Sequence, residues 1–214
     1  GNYFARMYQG EYLAGYMAGL MGYKNVGTVA TNPIPEPIRG INAFTIGLHK
    51  GLKEAGHAFE ADKANTVVWL KAWRDAINET TLAETLVARK HDLIRQMADT
   101  PDSSVAACAA GVPAIGYGED AARYGADCAL VSSVWNWGPI YVDKVQQVMD
   151  GTWKAGEYWG GFDKNNIVLS DFHATVPEAV RQKVLAEKEK LAAGQDDIFA
   201  GPLYDQKGAL MVPE

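Results

Sequence analysis

Hydrophobic and polar positions along this chain switch repeatedly between two periods, and the switching predicts its elements. From residue 3 to 21 the apolar positions Tyr3, Phe4, Met7, Tyr8, Tyr12, Leu13, Tyr16, Met17 and Leu20 recur at three- and four-residue steps, which predicts an amphipathic helix closed by Gly22. Ala14, Gly15, Ala18 and Gly19 on that helix predict close packing against a sheet. Residues 25–31 read as a buried strand. The run Asn32-Pro33-Ile34-Pro35-Glu36-Pro37 delays the next helix to its last proline, so that helix is expected over about residues 37–55, with Gly56 as its stop. A β-branched and aromatic strand over 66–70 leaves Trp73 just past its end, and Thr80 or Thr81 with Glu84 predicts a capped helix reaching Lys90.

The alternation continues with strands over 92–96, 113–117 and 129–134 and a short helix over 105–110. A helix over 140–149 carries Tyr141, Val142, Val145 and Val148 on one side. A last strand is expected over 166–170, a Lys- and Glu-rich surface helix over 176–193, and a hairpin over 199–212 with Asp205-Gln206-Lys207-Gly208 in its middle. Strand and helix alternate at intervals of about 20 to 30 residues, which predicts an α/β fold: a doubly wound parallel sheet with helices on both faces. The chain opens inside its first helix with no strand before it, and the stretch after Trp135 departs from the sheet, so the body is expected to need more than these residues supply.

Charge and composition narrow the function. A net charge of −6 without a basic stripe leaves no electrostatic footprint for nucleic acid or an anionic membrane, and no apolar run approaches the ~18 residues of a membrane span. A small-molecule ligand is the expected partner. Cys108 and Cys128 stand too far apart for a metal knuckle and read as two buried thiols, with pairing left open. The histidines, His49, His57, His91 and His173, lack ligand spacing, so no metal site and no cofactor is expected.

Little in the sequence is arranged to react. Gly116-Tyr117-Gly118-Glu119-Asp120-Ala121 fits Gly-x-Gly-x-x-Ala, and a nucleotide-dependent enzyme using that loop is the alternative reading. The pattern is weak, because Arg123-Tyr124-Gly125 interrupts the helix that should come next and no acid stands ~20 residues on. Asp99 and Asp102 read most simply as a helix cap and a first-turn acid, with Asp99 placed to accept ligand hydrogen bonds. What remains is a set of planar faces, amides and carboxylates at loops after strands: Trp73, Gln96, Asp99, Tyr117, Asp120, Trp135, Asn136 and Trp137. Such a set binds and releases a flat ligand.

Those residues sit within a longer series of motifs. Tyr3-Phe4-Ala5-Arg6 with Tyr12-Leu13-Ala14-Gly15, Pro33-Ile34-Pro35-Glu36 with Arg39-Gly40-Ile41-Asn42-Ala43-Phe44, and Trp69 with Trp73 and Asp75 come first. Ala114-Ile115-Gly116-Tyr117, Trp135-Asn136-Trp137-Gly138-Pro139, Asp150-Gly151-Thr152-Trp153, Tyr158-Trp159-Gly160-Gly161 and Gly201-Pro202 with Tyr204-Asp205 come after them in order. Together they resemble the basic membrane protein family, the purine-nucleoside-binding lipoprotein receptors of bacterial ABC importers. The resemblance implies a type I periplasmic-binding-protein-like fold, here essentially one full lobe plus part of the other. Residues 1–134 would be the second lobe, 135–166 a crossover and helix belonging to the first lobe, and 167–214 the return to the second. It further implies a permease partner, a periplasmic or lipid-anchored location, an absent opening segment of a hundred or so residues, and no catalysis. A sensory ligand-binding module on the same scaffold is a third reading.

The departures from the family pattern point to the ligand. Nucleoside-binding members carry an aspartate after the Gly116-Tyr117 position and a lysine at the Trp135 position, both reaching ribose hydroxyls, where this chain has Gly118 and Trp135. Two sugar-binding groups exchanged for an aromatic face imply a free purine base such as adenine over a nucleoside. Members with the Trp-Asn-Trp form often carry a histidine near Met97, which is absent here.

Overall fold

A computed structural model describes residues 1–205 and 207–213. In chain order the elements are β1 (Asn2–Ala5), α1 (Met7–Leu20), β2 (Val26–Ala30), α2 (Pro35–Glu54), β3 (Asn65–Trp69), α3 (Ala76–Ala88), β4 (Leu93–Met97), α4 (Asp102–Ala109), β5 (Ala114–Gly118), β6 (Ala129–Trp135), α5 (Gly138–Met149), β7 (Glu157–Gly160), β8 (Ile167–Leu169), α6 (Glu178–Ala192), β9 (Leu203–Tyr204) and β10 (Leu210–Val212). The main sheet has the order β3-β2-β4-β5-β6-β8. All its neighbours pair in parallel except β8, which runs antiparallel to β6. The chain leaves β2 toward β3 on one side and toward β4, β5 and β6 on the other. The strand order therefore reverses between β2 and β4, and such a reversal opens a crevice at the carboxyl ends of the strands.

Alternation along each strand sends side chains to two separate cores. Val26, Ala30, Leu93, Met97 and Ile115 face α1, α2 and α6, whereas Val29, Ile94 and Ala114 face α3 and α4. The doubly wound expectation holds. The small residues of α1 do a different job from the one expected, because they meet a helix rather than the sheet. A Cβ on Gly15 or Gly19 would lie 2.0 Å from the Phe44 carbonyl oxygen or 2.2 Å from that of Leu48, so α1 and α2 touch backbone to backbone. Beneath them Arg95 of β4 and Glu11 of α1 form an ion pair with no solvent exposure on either side chain, and the guanidinium lies 4.7 Å from the Phe44 ring centre.

Several boundaries move. Residues 2–5 are strand rather than helix, paired in parallel with β7, a strand the periodicity missed. Tyr3 and Phe4 fit the helical spacing of α1, but β7 supplies hydrogen bonds from more than 150 residues away. Helix α2 begins at Pro35, not Pro37, since two prolines fit within a first turn that needs no amide hydrogens. Helix α3 begins at Ala76, capped by Asp75, whose carboxylate accepts from the Asn78 amide at 3.1 Å. Its first turns carry the exposed Ile77 and few apolar residues, so periodicity found it late. The expected free thiols form a disulfide: Cys108 at the end of α4 and Cys128 before β6 are brought to a Cα separation of 5.4 Å. The terminal hairpin is present as β9 and β10, while Gln206 in its predicted turn lies outside the described residues.

Candidate functional site

The crevice predicted by the topology contains a cavity of about 290 Å³ lined by Arg74, Gln96, Asp99, Thr100, Tyr117 and Glu119 among others. Strand β4 ends in Gln96 and Met97 and hands over to Asp99, and β5 ends in Tyr117 and Gly118. Three of the eight residues singled out from the sequence thus share one cavity wall. Gln96 is buried and fully committed: its Nε2 donates to the Ala98 and Tyr117 carbonyls at 3.0 and 3.1 Å, and its Oε1 accepts from Ser104 Oγ. It braces the two strand ends. Asp99 has no such internal partner among the described residues. Burial raises its carboxyl pKa, and nearby Arg74 opposes that rise.

The loop after β3 joins the same wall. Asp99 donates its amide to the Trp73 carbonyl at 3.3 Å, and the Trp73 indole stays 48% exposed beside the crevice. Thr100 Oγ1 donates to Glu79 Oε1 at 2.6 Å, so a buried carboxylate of α3 anchors the loop from below. Asp102 occupies the first turn of α4 without a capping bond. Asp120 is spent locally, accepting from the Ala122 amide at 3.3 Å to start the 3-10 turn Ala121–Tyr124.

Trp135 ends β6 and forms the hinge between this cavity and an aromatic group. Its ring meets Tyr117 edge-on at 6.1 Å and Phe4 at 5.4 Å, while Trp137 stacks on one face at 5.0 Å. Trp137 in turn stacks on Tyr141, and Phe4 on Trp159. Trp137 is therefore the support behind Trp135. Asn136 between them is committed to the crossover: its Nδ2 donates to the Asn165 carbonyl at 2.7 Å and its amide to that of Asn166 at 2.9 Å. Gly118 has φ +82°, and a Cβ there would sit 3.7 Å from Trp135 Cδ1 and Nε1. The two departures from the family pattern, at 118 and 135, are neighbours in space.

One residue beside the crevice stands outside the eight candidates, although it closes the Pro33-Ile34-Pro35-Glu36 motif. Glu36, in the first turn of α2, accepts from the Tyr117 hydroxyl at 3.0 Å. Burial raises the pKa of its carboxyl, opposed by that hydrogen bond, and burial likewise pushes the Tyr117 phenol well up. The available signal was its place just after a strand at the point where the sheet order reverses, which the prolines around it disguised as a turn.

The Gly116 loop does not have the build of a dinucleotide site. A Cβ on Gly116 would lie 2.2 Å from Ser132 Oγ and 2.7 Å from Ala121 Cβ, so that glycine is required by packing against β6. The loop leads into a four-residue 3-10 turn, not the α-helix whose free amides would hold a pyrophosphate. A wider groove of about 730 Å³ between β8 and α6 shares no lining residue with the crevice. Its Arg181 already donates to the Val176 and His173 carbonyls.

The sheet order and its crevice define a doubly wound α/β fold, and solved structures agree on that fold. An ABC transporter solute-binding protein from Conexibacter woesei superposes with TM-score 0.67 at 24% identity, covering 90% of this chain and 63% of that one. One from Aeropyrum pernix gives 0.76 at 15% identity, covering 98% and 72%. The chain belongs to the Bmp family, the PnrA-like ABC transporter substrate-binding proteins, whose family model matches residues 1–195. That is a family of binding proteins, not of enzymes. Among curated relatives, a purine-binding protein of Brucella abortus is 29% identical over 208 residues, 97% of this chain and 57% of the relative. A putative ABC transporter glucose-binding protein of Haloferax volcanii is 32% identical over 206 residues, 96% and 51%. The chain spans about half the length of these curated relatives. No helix among the described residues is long and apolar enough to cross a membrane.

Proposed function

We propose that this chain forms most of the ligand-binding body of a receptor that delivers a free purine base, such as adenine, to an ABC importer. The single observation that carries the reading is the Trp135 indole, which meets the cavity-lining Tyr117 edge-on at 6.1 Å and lies next to Gly118. An indole in the place of a sugar-binding lysine supplies a stacking face, and base-on-aromatic stacking contributes on the order of 1–3 kcal/mol. Trp73 walls the other side, and Asp99 offers a partly desolvated acceptor for ligand N–H groups.

In this reading residues 1–134 and 167–214 make one lobe, apart from β1, which pairs with β7 and goes with 135–166 into the other. Binding is hinge closure: the second lobe covers the crevice, removes water from the indole faces and completes the hydrogen bonds. The closed form then docks on a permease. The Cys108–Cys128 disulfide supports a place outside the reducing cytoplasm, periplasmic or anchored to the membrane's outer face.

A pyranose is the second reading, favoured by carboxylates beside an indole and by the name of the Haloferax relative. Calorimetry of the full-length protein against adenine, guanine, hypoxanthine, their nucleosides and glucose separates the two. The expected result is tightest binding of a free base, with Trp135→Ala losing about 1–3 kcal/mol. Binding of glucose alone, or of no purine, sinks the purine reading.

A further inference from the structure

Resting on the purine reading above, we propose that Glu36 reads the ligand: its carboxylate, oriented by Tyr117, accepts a hydrogen bond from an N–H of the base, opposite Asp99. Strand order brings these groups together. Strand β4 lies between β2 and β5, and Glu36 comes after β2 whereas Tyr117 lies at the end of β5. Their 3.0 Å hydrogen bond therefore passes over the carboxyl end of β4, where the Asp99 loop starts. Tyr117 is 7% exposed, faces α1 and α2, and lines the crevice cavity, so its single hydroxyl proton is directed at Glu36 Oε1. Glu36 itself is half-buried, and its Oε2 has no hydrogen-bond partner among the described residues.

A partly desolvated carboxylate ordinarily takes a cation, and the nearest candidate is occupied elsewhere. Arg39, one turn further along α2, lies over the rings of Trp159 and Tyr8 at 4.9 and 5.7 Å and makes no ion pair with Glu36 among the described residues. Burial raises the affinity of this carboxyl for a proton, and the buried Glu11 and nearby Asp99 add to it. A ligand N–H answers that demand without a charge. In the adjoining cavity, close enough for Asp99 to act on the Glu36 carboxyl, Asp99 and Glu119 share the lining with one guanidinium, Arg74. The combination selects a neutral heterocycle with N–H donors on two edges and disfavours a phosphate-bearing nucleotide.

Calorimetry of the full-length protein with adenine, N6,N6-dimethyladenine and 9-methyladenine tests this, because each analogue lacks one class of donor. Glu36→Gln is expected to weaken adenine roughly tenfold to hundredfold, and to weaken the analogue that lacks the donor Glu36 reads by less than about twofold. Tyr117→Phe keeps the carboxylate but frees it to rotate, and should show the same selectivity with a loss of about threefold to tenfold. It also carries the test if the first variant melts below the wild type. Equal weakening for all three ligands marks a structural role for Glu36 and overturns the inference. So does an unchanged affinity for all three, which leaves the purine reading standing. A wild type that binds no purine removes the purine reading and this inference with it.

Discussion

The six-stranded sheet and the outlying β1–β7 pair with α5 meet the same physical demand with opposite outcomes. Both carry amphipathic or apolar elements that must hide one face. The sheet is covered on both sides, so closely that α1 and α2 meet at glycines and a guanidinium is sealed against a carboxylate. Helix α5 buries Ile140 and leaves Val142, Val145, Val148 and Met149 mostly exposed, at 71, 60, 64 and 75%. Strands β1 and β7 have no further neighbours among the described residues. The amphipathic pattern of a helix thus reports that a partner is needed, and in α5 it does so without one. The contrast is between a sheet covered on both faces and a small group, α5 with the β1–β7 pair, that lies outside it.

The largest effects are expected inside the body. Arg95→Ala would leave Glu11 buried without a countercharge, and a loss of about 3–5 kcal/mol in urea unfolding is expected. Replacing both, Glu11→Leu with Arg95→Met, should recover most of it, since an apolar pair of similar volume removes the desolvation cost. A loss below about 1 kcal/mol for the single variant would show that the body tolerates a loose centre. Next comes the disulfide. It closes a 20-residue span, for which the loop-entropy relation gives roughly 3 kcal/mol. Cys108→Ser with Cys128→Ser should lose about that much stability and should no longer respond to reductant, whereas the wild type should.

A smaller effect is expected where α6 docks on α1. Burial opposes ionisation of Glu187, yet hydrogen bonds from Lys190 and Tyr12, each at 2.8 Å, and from Lys50 hold its pKa at about 2. The unfolded value is about 4.3. A carboxyl lowered on folding stabilises the fold above its unfolded value and loses that contribution as pH falls through its folded one. Glu187→Gln should therefore cost about 1 kcal/mol at neutral pH, and the difference from wild type should fade between pH ~4 and ~2. A gap that persists at pH ~2 would assign the effect to packing instead.

Much of this contrast was legible in the residues, and its gaps have one cause. Every strand of the main sheet and each long helix announced itself through local periodicity. The apolar side of α5 was also visible, though not the fact that it stays bare. The pieces that were missed depend on distant partners: β1 is a strand only because β7 pairs with it, and Cys108 meets Cys128 only because α4 packs on β4 and β5, next to the start of β6. The site divides the same way. Gln96, Asp99 and Tyr117 could be placed near one cavity from the sequence because strand ends are recognisable. The commitment of Gln96 and Asn136 to local backbone, and the approach of Tyr117 to Glu36 across β4, depend on three-dimensional neighbours that spacing does not encode.

The finest distinction between the two regions concerns α5. Val145→Glu with Val148→Glu would place charges on its bare face, about one turn apart. In this 214-residue chain those side chains touch little, so the stability of the body should move by no more than about 0.5 kcal/mol. Exposed apolar patches of this kind drive association. The wild-type chain should therefore self-associate in sedimentation, and the variant should not. Under the proposed two-lobe reading a second unit covers this face, and there the same two charges should destabilise the covered form measurably. If they instead unfold the 214-residue chain, the face is packed on the body after all, and α5 belongs to the first region rather than the second.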